Sequence, residues 1–117
     1  MARFDPIIHQ PVRLRITAAL NALPEDAQID FKALRDLLGV TDGNLATHLR
    51  KLEDAGYVAI EKTFIGRRPR TYVAFTPAGR RAFAEHVQAL EEILRGAIDG
   101  DDASTALSSE IPPDPIA

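Results

Sequence analysis

Apolar residues near the N-terminus keep a helical beat: Val12, Ile16, Ala19, Leu20 and Leu23 share one stripe, while Arg13 and Asn21 fall off it. This predicts a helix from Pro11 to about Leu23, ended by Pro24. Upstream, Asp5 and Pro6 resemble an N-cap and first helical position, but Pro11 bars one continuous helix, so a short first turn or arm is expected. Ile29 marks a brief strand. Asp30 then caps a second helix, Phe31 to Leu38, with Phe31, Leu34, Leu37 and Leu38 expected to face inward and Gly39 to stop it. Val40 and Thr41 form a tight turn, and Thr41 caps a third helix running to about Ala55 and closed by Gly56. Two helices joined by so few residues must cross at a large angle.

The beat then changes to period two. Tyr57, Val58 and Ile60 against Glu61 and Lys62 predict a strand from Tyr57 to Thr63, and Tyr72, Val73 and Phe75 predict another from Thr71 to Thr76. Ile65 to Pro69 supplies the turn residues Gly66 and Pro69, so a hairpin joins the strands. Thr76 and Pro77 open a last helix that continues through Arg95. Along it Phe83, Val87, Leu90 and Leu94 repeat as a narrow heptad seam of the kind that pairs with another helix. From Gly96 no stripe survives, and residues 99–117 read as a disordered acidic tail after a single domain over 1–98.

A chain of 117 residues, 45% apolar and 26% charged, has material for one core. No apolar run approaches the roughly 20 residues of a membrane span, and charges interrupt the N-terminal stretch where a secretory signal needs an apolar core. A cytoplasmic location is expected. The absence of cysteine excludes a disulfide scaffold and a thiolate metal site. Net charge is −3, but all 14 Lys and Arg lie at or before Arg95 with 12 acids, leaving +2 there and −5 in the tail. Where the cations cluster matters more than the sum.

With Leu45 at zero on a helical wheel, Leu49 and Leu52 fall within about 40° and hold the third helix to the core. The opposite face presents Gly43, Asn44, Thr47, Arg50 and Lys51, flanked by His48. Asn can bond an adenine edge twice, Thr offers a methyl or hydroxyl, and Lys or Arg reaches guanine or phosphate. Gly43 keeps the first turn slim. Arg67, Arg68 and Arg70 at the hairpin tip can neutralise phosphates and release counterions. The same tip could instead be a solubilising loop or an ion-pair partner for Glu61. His9, His48 and His86 share no ligand spacing, so no metal and no cofactor are expected. No nucleophile with an oriented base, phosphate loop or paired carboxylates supports an enzyme.

A groove-sized helix beside a cationic hairpin is the anatomy of a winged helix-turn-helix, an α+β fold. The runs QPVRLRITAAL, LLGVTDGNLATHLRKLEDAGYVAIEKTF and RRPRTYVAFTPAGRRAF, with the closing heptad helix, resemble small bacterial and archaeal winged-helix regulators. They look like compact relatives of the multiple-antibiotic-resistance (MarR) regulators, with an opening helix similar to that of the arsenical-resistance (ArsR) repressors. The resemblance covers about Asp5 to Leu94. It implies a homodimer built by the first and last helices, with Ile7, Ile8, Phe83, Val87, Leu90 and Leu94 at the interface. It further implies that helix 41–55 enters the major groove of a pseudo-palindromic operator, using Asn44, Thr47, His48 and Lys51, and Thr41, Gly43 and Arg50 are expected to join the DNA contact. Wing 64–70 would meet the backbone or minor groove through Arg67, Arg68 and Arg70. The chain lacks the extra helices that house ligand pockets in larger relatives, so no small-molecule effector is assigned. A DNA-binding repressor is the reading; the alternative is a winged-helix assembly module that engages a protein partner.

Overall fold

A computed structural model describes residues 2–99 of the chain. Its elements are α1 (Pro6–His9), α2 (Pro11–Asn21), β1 (Gln28–Asp30), α3 (Phe31–Leu38), α4 (Asp42–Asp54), β2 (Val58–Ile65), β3 (Arg68–Phe75) and α5 (Pro77–Asp99). The expected acidic tail, beyond the helix end at Asp99, lies outside the described residues.

Local capping chemistry sets most boundaries. Asp5 Oδ1 accepts from the Ile7 and Ile8 N–H groups and starts α1, while Gln10 Oε1 accepts from Arg13 N–H and starts α2. Asp30 Oδ2 accepts from Lys32 and Ala33 N–H at the head of α3. Thr41 Oγ1 accepts from Asn44 N–H at 3.1 Å, and Thr76 Oγ1 accepts from Gly79 N–H at 2.9 Å, opening α4 and α5. Each cap satisfies donors that a helix start leaves without partners.

The three strands form one antiparallel sheet in the order β1-β3-β2. Packed on it, α2, α3 and α4 enclose Ile16, Leu20, Leu34, Leu38, Leu45, Leu49 and Leu52 with Val58, Val73 and Phe75 from the sheet. Leu37 departs from expectation at 65% exposure. On α3 it stands about 60° from Leu34, on the side away from Leu38, so the sheet never reaches it.

Helix α5 begins hard against the sheet. A Cβ at Gly79 would fall inside contact distance of the Tyr57 carbonyl and 2.5 Å from Phe75 Cε1, so only glycine seats the first turn there. Next to it Arg80 donates to the Asn21, Leu23 and Pro24 carbonyls and lies over the Phe75 ring. It fastens α5 to the end of α2.

Asp5 clasps the N-terminus to the body. Its N–H donates to Nδ1 of the fully buried His86, and the Tyr57 hydroxyl donates to its Oδ2 at 2.5 Å. That bond pushes the Tyr57 pKa up to about 12. Phe4 and His9 rings pack within 5.4 Å of His86 or of each other. Ile8 is consequently buried within the subunit and cannot meet a partner, and Ile7 is half-buried against the core. A helix of four residues has no periodicity from which to read this.

Candidate nucleic-acid interface

Leu45, Leu49 and Leu52 are all buried, as the wheel requires, so α4 turns its other side to solvent. Thr41, Gly43, Asn44, Thr47, Arg50 and Lys51 are exposed on it. Thr41 spends its hydroxyl on the Asn44 cap. Asp42, an acid beside this face, is ion-paired at 2.9 Å with Arg35, which also holds Asp36. These bonds raise the Arg35 pKa further and offset negative charge where α4 begins.

His48 does not join the exposed face. It sits about 60° from Leu45 on the wheel, half-buried, with Nδ1 enclosed and unpartnered. Burial, then the Arg13 charge, lowers its pKa, favouring the neutral ring.

The wing is longer and its turn tighter than the sequence suggests. Pairing runs from Val58↔Phe75 to Ile65↔Arg68, leaving only Gly66 and Arg67 in the turn. Gly66 has φ 66° at the first central position, the site where a two-residue hairpin of the II′ type takes glycine. Pro69, expected in the turn, instead lies in β3 opposite Phe64.

The three arginines therefore separate. Arg67 stands at the turn, Arg68 opens β3 opposite Ile65, and Arg70 lies further back opposite Thr63. Arg70 contacts Asp30 Oδ1 at 3.6 Å, joining the wing to the head of α3 rather than extending outward. Glu61, the partner considered from sequence, is not the one used.

Between α4 and the wing runs a groove of about 560 Å³, lined by Phe31, Ala46, Leu49, Arg50, Glu53, Ile60, Lys62 and Thr71. Arg50 stands on one wall and Lys62 on the other. Two such cations attract an anionic backbone, and Glu53 on the same wall as Arg50 partly opposes them. Sequence reasoning passed over Lys62 and Thr71. Their signal is phase: Lys62 continues the core face set by Val58 and Ile60 past the point where the core ends.

On α5 the buried residues are Gly79, His86 and Ala89, which face the body. Val87 and Leu94 lie about a quarter turn from His86, with Leu94 63% exposed, whereas Leu90 lies only about 40° from it and, like Val87, is half-buried. Phe83 falls within that same stripe and yet packs edge-on against Phe75. The seam read from sequence is thus only partly separate from the stripe that holds α5 to its own subunit: Phe83 packs against the core, Val87 and Leu90 are half-buried, and Leu94 is exposed.

Among the described residues no group of three or more His, Asp or Glu is placed to hold a metal, and no helix is long and apolar enough to cross a membrane.

Residues 12–94 match the family described as winged helix DNA-binding domain. An uncharacterized protein of Methanocaldococcus jannaschii is 36% identical over 89 residues, covering 76% of this chain and 94% of that protein. The solved transcriptional regulator homologue from Pyrococcus horikoshii is 34% identical, with a TM-score of 0.68 over 82% of this chain and 88% of that one. A MarR family regulator from Silicibacter pomeroyi, 20% identical, shares the fold with a TM-score of 0.56 over 86% of this chain and 64% of its own. With the capped helix pair, the wing and the groove between them all inside the matched span, the chain belongs to the winged-helix DNA-binding domain family.

Proposed function

We propose that two copies pair along Val87, Leu90 and Leu94 of α5 and set two α4 helices and two wings on a pseudo-palindromic operator in double-stranded DNA. Asn44, Thr47 and Lys51 read the major groove, Arg50 and Lys62 hold the backbone between helix and wing, and Arg67 and Arg68 meet the backbone or minor groove. Bound at a promoter in the cytoplasm, the dimer obstructs transcription and acts as a repressor.

One observation carries this reading: the division of labour among the cations. Arg15 donates to the Leu38 carbonyl, Arg80 binds three carbonyls, and Arg35 and Arg70 pair with acids. Of the exposed cations, Arg50, Lys51, Lys62, Arg67 and Arg68 gather on α4 and the wing, while Arg3, Lys32, Arg81 and Arg95 lie singly elsewhere. An assembly module has no need of that concentration.

The test is a mobility shift on genomic fragments over a salt series. The double variant Arg67→Ala/Arg68→Ala should bind roughly tenfold more weakly, with a log–log salt slope shallower by about two. A wild-type protein that shifts no DNA at low salt would remove the operator and favour the assembly module.

A further inference from the structure

Phe64 is a large apolar residue, 66% exposed, that the fold has no use for, and it stands beside the turn of the wing. The register places it opposite Pro69 and on the same ribbon face as Ile60, Val73, Lys62 and Thr71. That is the face turned to the α4 groove. Beyond Asp30↔Tyr72 the third strand stops, so from Lys62↔Thr71 outward the wing is a free two-stranded ribbon of four residue pairs.

We propose that Phe64 is a minor-groove wedge: its ring enters the groove at the end of the wing, presses on a base step and bends the duplex. Four observations fix duplex DNA as the occupant. Lys62 shares the face and Arg67 stands at the adjoining turn, while the acid Glu61 lies on the opposite face together with Arg68, so the nearest charges on the Phe64 side are cationic. The patch also continues directly from the α4 groove of a DNA-binding family. A minor groove about 6 Å wide admits a side chain but not a ribbon, and the two-residue turn brings Phe64 to the leading edge. Pro69, the register partner of Phe64, stiffens the ribbon there through its fixed φ. Apolar side chains used this way partly unstack a step and kink the helix.

This inference rests on the DNA reading of the wing, and the experiment separates the two. Wild type selects a duplex from a random pool, and Phe64→Ala, Phe64→Leu and Arg67→Ala are compared on it for affinity across salt and for bend angle by circular permutation. Phe64→Ala should lose roughly tenfold in affinity and most of the bend, with the salt slope unchanged, because no phosphate contact is removed. Phe64→Leu, which keeps apolar bulk, should restore most of both. Arg67→Ala should instead make the slope shallower by about one. If Phe64→Ala keeps affinity and bend while Arg67→Ala changes the slope, the wedge is wrong and DNA binding by the wing stands. If wild type selects no duplex, the DNA reading itself fails. Phe64-dependent cosedimentation with vesicles of anionic phospholipid, without any effect of Phe64 on DNA, would overturn the wedge in favour of a membrane surface. The residue's exposure means these variants keep the fold, which matching thermal melts check.

Discussion

Helices α4 and α5 are both amphipathic, yet they solve opposite problems. Helix α4 hides its whole apolar stripe beneath itself and shows polar and cationic groups. Helix α5 hides Gly79, His86 and Ala89 against the body and leaves a neighbouring apolar stripe half-covered, with its far end, Leu94 and Ile98, exposed. An apolar stripe that is fully hidden makes a helix part of a core; one that runs past the body of the subunit needs another surface to bury its end. The difference separates a helix suited to a polyanion from one suited to a second protein.

The largest effect should come from breaking the hidden side of α4. Leu49 is 1% exposed at the centre of the core, and Leu49→Ala should cost about 3 kcal/mol of stability by the cavity it leaves, read from urea unfolding. An equal loss from Leu94→Ala would erase the contrast between the helices.

Next, Leu94→Glu should leave the subunit's own stability nearly unchanged while converting dimers to monomers in sedimentation. Operator affinity should then drop about a hundredfold as the second half-site is lost. A dimer that survives the substitution would assign the exposed stripe to something other than pairing.

The smallest effect sharpens the comparison through one histidine on each helix. Burial is the main cause that lowers the pKa of both His48 and His86; the Arg13 charge adds to it for His48, and His9 adds to it for His86 while Asp5 opposes. With folded values below the ordinary one near 6.5, the unfolded state takes up protons first on acidification. Their contribution is therefore whole above about pH 6.5 and is lost as pH falls toward the folded values. His86→Gln should flatten this acid limb more than His48→Gln, because His86 is fully buried and would lose its acceptor role toward the Asp5 N–H when protonated. Equal limbs would show that enclosure does not distinguish the two sites.

Much of α3 and α4 was legible because their information is local. Asp30, Gly39 and Thr41 act within three or four residues of themselves, and the leucine stripe needs no knowledge of the partner surface. The exposed face of α4, Gly43, Asn44, Thr47, Arg50 and Lys51, followed from that stripe by subtraction. The wing was less legible, since Gly66 and Pro69 both carry turn chemistry and only strand pairing decides which one turns the chain. The fate of each arginine was hidden for the same reason. Arg80 reaches carbonyls 56 to 59 positions away, and Arg70 finds Asp30 across the sheet. Such choices belong to the assembled fold and leave no spacing to read.

The seat of Gly79, with Arg80 beside it, has a consequence for reach. Helix α5 is a lever of 23 residues, about 34 Å long, clamped at its base without slack. Tilting such a lever by roughly 10° would carry its far end about 6 Å, close to two base-pair steps of duplex. A bulkier side chain at position 79 would alter the tilt, and with it the distance at which paired subunits could straddle neighbouring turns of DNA.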